Sequence, residues 1–239
     1  MHTKPTVEVC FSPRLYEFKL TNGRFTTVVV DILRATTSIC AAFDHGVKQI
    51  IPVSGLEEAR NMKEQGFFVA CERNGEVLDF ADIGNSASDF IRDDIKGETV
   101  VFSTTNGTKT INMARDAREV LIGAFVNLQA LTDYLTQKHE NVVIFCAAWK
   151  NLFNLEDSVF AGAVAEKLLE NGFTTVCDSA YGAIDMWQKA KPDLKAYLSK
   201  SSHRNRLKHL VSDADFNYTV TLNSTSVIPR LVGDKLELL

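Results

Sequence analysis

The alternation of β-branched runs with helical segments is the feature that most limits how this chain can fold. Residues 26–31 read TTVVVD, a continuous run typical of a strand that is buried on both faces. Further strand-like runs lie at 49–53, 67–71, 99–103, 119–125 and 141–147, and helical segments separate most of them. Strands joined through helices predict a mostly parallel sheet with helices on its faces. We therefore expect a three-layer α/β/α fold.

The last part of the chain breaks this alternation. Residues 178–191 and 194–211 look helical, and residues 226–239 predict a strand pair around Gly233-Asp234. This pattern predicts a helical cap and a sheet that becomes mixed at its C-terminal edge. No linker rich in Pro, Gly or Ser interrupts the chain, so residues 1–239 are predicted to form a single domain.

Composition excludes several classes of protein. The chain has 239 residues with 26 basic and 30 acidic side chains, so its formal net charge is −4 and no basic stripe for nucleic acid is expected. No apolar run approaches the ~20 residues that span a bilayer, and Met1–Val9 lacks the apolar core of a signal peptide. The five cysteines are dispersed without a C-x-x-C pair, which predicts buried reduced thiols in a cytoplasmic protein.

Polar side chains follow several of the predicted strands. In open α/β sheets the ligand crevice lies beyond the carboxyl ends of the strands, where we expect such side chains to meet. Carboxylates suit Mg²⁺, arginines suit phosphate, and Thr/Asn/Gly loops at helix N-termini favour anions. The candidates are Asp31, Arg34, Thr36 and Thr37; Glu72 and Arg73; Thr104, Thr105, Asn106, Gly107 and Thr108; and Glu156 and Asp157. Together they indicate a metal-assisted phosphoryl site.

Each of these features also has an ordinary structural interpretation. An ion pair with Arg34 is the ordinary interpretation of Asp31, and Glu156 and Asp157 match the acidic first turn of a helix. The sequence TTNGT suits a turn with capping threonines. P-loop, dinucleotide-binding, nucleophile-elbow and H-E-x-x-H motifs are all absent from the sequence, which disfavours those enzyme classes.

Several segments occur together in one order that resembles a known family. They read VVVDILRATTSICAAFDHGVKQIIPV, ERNGEV, DIGNSAS, STTNGTKTI, GAFVNLQAL and VVIFCAAWKNLFNLEDSVFAGAVAEKLL. From about Val7 to Leu231 the chain resembles the 2-phosphosulfolactate phosphatase family. The resemblance implies a Mg²⁺-dependent phosphatase that converts 2-phospho-3-sulfolactate to 3-sulfolactate and phosphate, on a route towards coenzyme M.

The same resemblance implies roles for individual residues. Asp31, Arg34 and Glu72 are expected to be catalytic, and Asp31, Glu156 and Asp157 to hold the metal. Substrate-binding roles are expected for Thr36, Thr37, Arg73, Asn85, Ser86, Thr104, Thr105, Asn106, Gly107 and Thr108. Two choices stay open: Glu72 is a further metal ligand or the base that orients water, and Asp31 either forms a covalent aspartyl-phosphate or leaves water to attack directly.

Departures from the family pattern affect what the substrate pocket can hold. The family's Cys-Ala-Gly reads Cys146-Ala147-Ala148 here and Trp149 follows it, Ala87 replaces a proline, and Ser-x-His-Gly reads Ser201-Ser202-His203-Arg204. Two alternatives therefore stand beside the sulfolactate substrate. One is a phosphatase of another small phosphorylated hydroxy acid, and the other is a non-catalytic anion-binding protein. For assembly the sequence offers only the common default, a homodimer.

Overall fold

The structure, a computed structural model, describes residues 4–19 and 25–239, so residues 1–3 of Met1–Val9, the segment in which no signal-peptide core is predicted, lie outside the described residues. The strands are β1 (Val7–Cys10), β2 (Thr26–Val30), β3 (Gln49–Pro52), β4 (Phe68–Arg73), β5 (Glu76–Val77), β6 (Thr99–Ser103), β7 (Glu119–Gly123), β8 (Val142–Cys146), β9 (Pro229–Val232) and β10 (Lys235–Leu238). The helices are α1 (Pro13–Tyr16), α2 (Ala35–Asp44), α3 (Leu56–Glu64), α4 (Gly107–Met113), α5 (Leu128–Lys138), α6 (Leu155–Glu170), α7 (Asp178–Ala190), α8 (Leu194–Ser199), α9 (Ser202–Arg206) and α10 (Asp213–Thr219).

The strands form one sheet in the order β1-β8-β2-β7-β9-β10-β3-β6-β4-β5. Pairing is parallel within β1-β8-β2-β7 and within β3-β6-β4. Helices α5, α6 and α7 pack together beside β1 and β8, whereas α2 and α4 pack against each other and contact β7 and β2. This arrangement confirms the three-layer α/β/α class and its mostly parallel sheet.

The C-terminal hairpin lies in the middle of the sheet, which corrects its expected position at an edge. Strands β9 and β10 pair around Gly233-Asp234 as predicted. However, β9 pairs with β7 and β10 pairs with β3, both antiparallel. The hairpin therefore joins the two parallel halves of the sheet. Hydrophobicity along β9 and β10 indicated strands but carried no information about their neighbours.

This insertion also affects where the strand ends lie. Three antiparallel pairings in succession give β3, β6 and β4 the opposite sense to β2 and β7. In a flat sheet the carboxyl ends of the two halves would lie at opposite edges. Sheet twist of ~20–25° per strand accumulates to roughly 100–125° over the five steps from β2 to β6. Residues that follow β2 and β6 in fact line one cleft.

The cysteines agree with the expectation of unpaired thiols. All five cysteines are unpaired thiols, of which Cys10, Cys40, Cys71 and Cys146 are buried and Cys177 is half-buried. Among the described residues, no helix combines the length and the apolar character that crossing a membrane requires.

The central position of the hairpin can be tested with two leucines of β10. Leu236 is fully buried and lies opposite Ile50, so we expect Leu236→Ala to lower the free energy of unfolding by about 2–5 kcal/mol. Leu238 on the same strand is 46% exposed, and Leu238→Ala should cost less than about 1 kcal/mol. Urea denaturation followed by circular dichroism measures both. Equally small losses would contradict a hairpin built into the sheet.

Candidate active site

A polar cleft lies where loops from both halves of the sheet meet. Its lining residues are Asp31, Leu33, Arg34, Glu72, Gly75, Asn85, Thr105, Asn106, Trp149, His203 and Leu207. The cleft thus brings together six of the residues selected from the sequence: Asp31, Arg34, Glu72, Asn85, Thr105 and Asn106. It also contains an aromatic residue and a histidine for which the sequence predicted no role.

Asp31 is a nearly buried carboxylate at the carboxyl end of β2. Only 6% of the residue is exposed. Burial raises the pKa of Asp31 to about 6, the charge of His203 opposes this rise, and the charge of Glu72 adds to it. A carboxylate held against both desolvation and a like charge gains free energy from any cation that enters the cleft.

Arg34 supplies a cation with unused donors. Its Nη1 donates to Ser86 Oγ at 2.9 Å and its Nη2 donates to the Gly75 carbonyl oxygen at 3.0 Å. Burial lowers the pKa of Arg34, while the charge of Glu72 opposes that effect. Because a guanidinium carries five N–H donors, several remain for an anion in the cleft. Ser86 therefore positions Arg34 in this structure.

Glu72 joins the loops that follow β4 and β6. Its Oε1 accepts from the Thr105 backbone N–H at 2.8 Å, and its Oε2 accepts from the Gly75 backbone N–H at 2.5 Å. Oε2 also accepts from the Thr105 hydroxyl at 3.4 Å, so the capacity that remains for a cation or water from the cleft is on Oε1.

Four of the predicted substrate-binding threonines are buried beneath the cleft instead of lining it. Thr36 Oγ1 accepts from the Asp31 backbone N–H at 3.0 Å, and Thr37 Oγ1 donates to the Ile32 carbonyl oxygen at 2.9 Å. The hydroxyl of Thr104 accepts from the Thr108 N–H at 3.2 Å, and the hydroxyl of Thr108 accepts from the Thr104 N–H at the same distance. In this structure these side chains fix the loops after β2 and β6.

The loop after β6 approaches Asp31 closely at Gly107. A Cβ at Gly107 would lie 2.8 Å from Asp31 Oδ2 and 2.4 Å from the Cβ of Ala35. No other residue type fits there, because a side chain would push α4 away from the start of α2. Gly107 thereby allows the neighbouring Thr105 and Asn106 to reach the cleft.

Asn85 and Arg73 have different positions relative to the cleft. Asn85 lines it, and its buried Oδ1 has no hydrogen-bond partner among the described residues. Arg73 Nη2 binds Ser103 Oγ at 2.9 Å and the Ser54 carbonyl oxygen at 3.1 Å. Adjacent residues of a strand point to opposite faces, so Arg73 lies away from the cleft that Glu72 lines. The structure does not bring Arg73 to the other substrate-binding candidates.

Asp157 is fully buried and makes three hydrogen bonds. Its Oδ1 accepts from the Ile32 N–H at 2.9 Å, and its Oδ2 accepts from the Ala148 N–H at 3.1 Å and from Asn154 Nδ2 at 2.9 Å. Burial and the charge of Asp31 raise the pKa of Asp157 well above its usual range, against the effect of these donors. Asp157 therefore connects the loops after β2 and β8 to the start of α6.

Glu156 faces a histidine. Its Oε1 lies 2.7 Å from His203 Nδ1, and both residues are buried. Its Oε2 is buried and has no hydrogen-bond partner within the described part of the chain. Neither Glu156 nor Asp157 lines the cleft that contains Asp31.

These positions bear on the predicted metal set of Asp31, Glu156 and Asp157. Within residues 4–19 and 25–239, no group of three or more His, Cys, Asp or Glu side chains is arranged to hold an ion. Mg²⁺ often binds through one or two carboxylates together with substrate phosphate and water. Asp31 and Glu72, the two carboxylates of the cleft, fit that mode, whereas Glu156 and Asp157 face protein partners.

His203 and Trp149 are the cleft residues for which the sequence predicted no role. His203 lies in the first turn of α9, where Ser201 Oγ accepts from the Arg204 N–H at 3.0 Å. The Trp149 ring packs on the imidazole with centroids 4.8 Å apart. The partial match to Ser-x-His-Gly is the sequence signal for His203, since a capping serine at position 201 places the histidine in the first turn of a helix. Trp149 stands out in the sequence only as the residue that follows the departure from the family's glycine at Ala148.

Ala148 departs from the family's glycine at a position where the backbone favours glycine. Its φ is 60°, in the left-handed region that side chains adopt at a cost of roughly 1–2 kcal/mol. The N–H of Ala148 binds Asp157, so this conformation belongs to the loop beneath the cleft.

Known proteins share much of the sequence of this chain. A family model described as 2-phosphosulpholactate phosphatase matches residues 10–234. A protein of Carboxydothermus hydrogenoformans named "Probable 2-phosphosulfolactate phosphatase" is 35% identical over 227 residues, covering 94% of this chain and 92% of that protein. A protein of the same name from Thermotoga petrophila is 34% identical over 87% of this chain and 89% of its own length. One from Clostridium acetobutylicum is 28% identical over 88% of this chain and 91% of its own length.

These matches, together with a cleft lined by acidic and basic side chains, define a phosphoric monoester hydrolase. The chain belongs to the 2-phosphosulfolactate phosphatase family. This membership confirms the resemblance found in the sequence. It favours an enzyme over the non-catalytic anion-binding protein that the sequence left as an alternative.

The raised pKa of Asp31 predicts how stability depends on pH. A pKa raised from 3.8 to about 6 means that the folded state binds this proton more tightly than the unfolded state. In chelator-treated protein, the proton on Asp31 therefore stabilises the folded state at low pH. This stabilisation is lost as pH rises from about 4 to 6. Because one unit corresponds to ~1.4 kcal/mol, we expect Asp31→Asn to be more stable than wild type at pH 7.5 by up to about 3 kcal/mol.

Thermal and urea unfolding at pH 4 and pH 7.5 measure this difference, which should be small at the lower pH. The control is Asp185→Asn, which removes the same charge from an exposed position on α7 and should change little at either pH. A destabilised Asp31→Asn at pH 7.5 would contradict the cost assigned to this carboxylate.

Proposed function

We propose that this enzyme hydrolyses 2-phospho-3-sulfolactate to 3-sulfolactate and phosphate. The observation that carries the proposal is the cleft itself, in which Arg34 keeps unused donors beside the buried carboxylate of Asp31. The names of the relatives support the same substrate. A phosphoryl group placed against Arg34 and the loop of Thr105 and Asn106 would have its negative charge stabilised as it grows in the transition state.

Magnesium is part of this proposal. Asp31 and Glu72 would hold the ion, because they are the carboxylates that line the cleft and they repel each other without a cation. When bound, Mg²⁺ neutralises charge on the phosphoryl oxygens. Glu156 and Asp157 would support the site from beneath, through His203 and through the loops after β2 and β8.

A second cavity suggests where the acid groups of the substrate lie. It shares Thr105 and Asn106 with the cleft and is also lined by Lys109 and Lys150. Both lysines are exposed and form no ion pair within the described part of the chain. A phosphate ester that also carries carboxylate and sulfonate groups would find cations on both sides of this loop.

A related substrate is the second candidate. Trp149 lines the cleft, and Ala148 before it departs from the family's glycine. Because Trp149 borders the space left for the rest of the substrate, other small phosphorylated hydroxy acids are the alternative to test. The unpaired cysteines support a cytoplasmic location for either reaction.

The first test measures turnover of 2-phospho-3-sulfolactate. Arg34→Ala should lower kcat by ~10²-fold or more, because it removes a donor that stabilises transition-state charge. Arg118→Ala is the control, since Arg118 is exposed before β7 and pairs with Glu140. A chelator should abolish activity and Mg²⁺ should restore it. Full activity in the presence of the chelator would contradict the requirement for Mg²⁺. Wild-type rates in Arg34→Ala would contradict the assignment of this cleft as the active site.

The second test separates the substrates. We expect kcat/KM to fall from 2-phospho-3-sulfolactate to 2-phospholactate and again to glycerol 2-phosphate, which has no acid group. Lys109→Gln with Lys150→Gln should raise KM for the sulfolactate ester about five- to tenfold, which corresponds to ~1–1.4 kcal/mol, within the net range of a typical hydrogen bond. The control is Lys48→Gln, which lies before β3 and outside the cleft. A preference for 2-phospholactate would favour the second candidate.

A further inference from the structure

His203 is placed as a catalytic histidine is placed in other hydrolases. One ring nitrogen, Nδ1, lies 2.7 Å from the buried Oε1 of Glu156. A carboxylate accepts a proton at this distance, so Nδ1 donates and Nε2 is the nitrogen left to react. Nε2 has no hydrogen-bond partner among the described residues, and His203 forms part of the cleft wall.

The ring is held from several sides. Glu156 lies in the first turn of α6 and His203 in the first turn of α9, so the bond joins two helices far apart in the chain. The Trp149 ring packs against the imidazole. On its other contact, Arg206 of α9 places its guanidinium 4.8 Å from the centre of the Trp149 ring. A ring fixed in this way keeps Nε2 at one position in the cleft.

The hydrogen bond between Glu156 and His203 brings a cost in folding stability that a purely structural contact between these helices would not have. Glu156 is fully buried, and its Oε2 lacks a hydrogen-bond partner within the part of the chain described. An unsatisfied buried carboxylate oxygen is destabilising, and a pair of apolar residues would join the same helices without that cost. Such a carboxylate is explained if it orients a histidine that moves protons, as in other carboxylate–histidine pairs.

We propose that His203 is the general acid of this phosphatase and that Glu156 is its positioning residue, an assignment that rests on the proposed function. The reacting ring is the imidazolium, which carries a proton on each nitrogen. As the bond between phosphorus and the ester oxygen breaks, the Nε2 proton passes to that oxygen to give the free hydroxy acid, and the ring is left neutral with its Nδ1 proton on the bond to Glu156. Water forms the new P–O bond, and its proton passes to solvent, from which the imidazole is protonated again. No other co-reactant is needed.

The chemistry of the ester favours this role over that of a base. Phosphate monoesters react through a loose transition state in which the nucleophile contributes little and the leaving oxygen carries much of the charge. The alkoxide of a hydroxy acid is a poor leaving group unless it is protonated. A general acid is therefore worth ~10²–10⁴-fold with such a substrate, and far less with a phenolate that leaves easily.

The test compares leaving groups in the Mg²⁺-loaded enzyme. His203→Asn should lower kcat for 2-phospho-3-sulfolactate by ~10²-fold or more and lower kcat for p-nitrophenyl phosphate by less than about tenfold. Glu156→Gln should show a smaller loss with the same selectivity. Across substituted phenyl phosphates, rates of both variants should depend more steeply on the leaving-group pKa than those of wild type. The control is His209→Gln, an exposed histidine in the same segment.

The outcomes separate the two proposals. Equal losses on both esters, as a merely structural pair would produce, overturn the role of His203 and leave the phosphatase standing. So do wild-type rates in both variants. If wild type hydrolyses neither ester, the proposed function fails and the acid falls with it. Because His203→Asn also removes packing against Trp149, Glu156→Gln, which keeps an acceptor for Nδ1, serves as the variant that preserves the fold.

Discussion

The buried carboxylate of Asp157 is the interaction on which the site depends. It accepts N–H groups from Ile32 after β2 and from Ala148 after β8, together with the side chain of Asn154 at the start of α6. These are the segments that carry Asp31, Trp149 and Glu156. Because an unpartnered buried carboxylate is costly, the three bonds fix the relative positions of those segments. Burial raises the pKa of Asp157 well above its usual range, so the ionised form of this carboxyl has a cost in stability.

Around that connection, the acidic side chains are divided between two tasks. Asp31 and Glu72 face the cleft and Arg34, where a substrate and a cation can reach them. Glu156 faces His203 on the buried side. Two neighbouring residues in one helical turn thus serve different partners, since successive helix residues point about 100° apart. This division is why the expected set of three metal ligands does not form one cluster among the described residues.

Much of the candidate site could be predicted from where polar residues follow strands. Asp31, Glu72, Thr105 and Asn106 reach the cleft for that reason, and Asn85 came from the family resemblance. Arg73 did not, because one step along β4 reverses the side of the sheet that a side chain faces. His203 lies in the short helix α9 and Trp149 in the loop after β8, and the positions of both segments depend on contacts far along the chain. No periodicity in the sequence reports such contacts.

The sequence by itself determined the elements, the fold class and the chemical character of the strand ends, because these depend on side-chain periodicity and residue type over a few neighbours. Only the tertiary structure decided that β9 and β10 lie between the two halves of the sheet and that loops from both halves share one cleft. It also decided that Glu156 meets His203. Strand order, sheet twist and the pairing of distant loops are set by the packing of the whole chain, which no local pattern encodes.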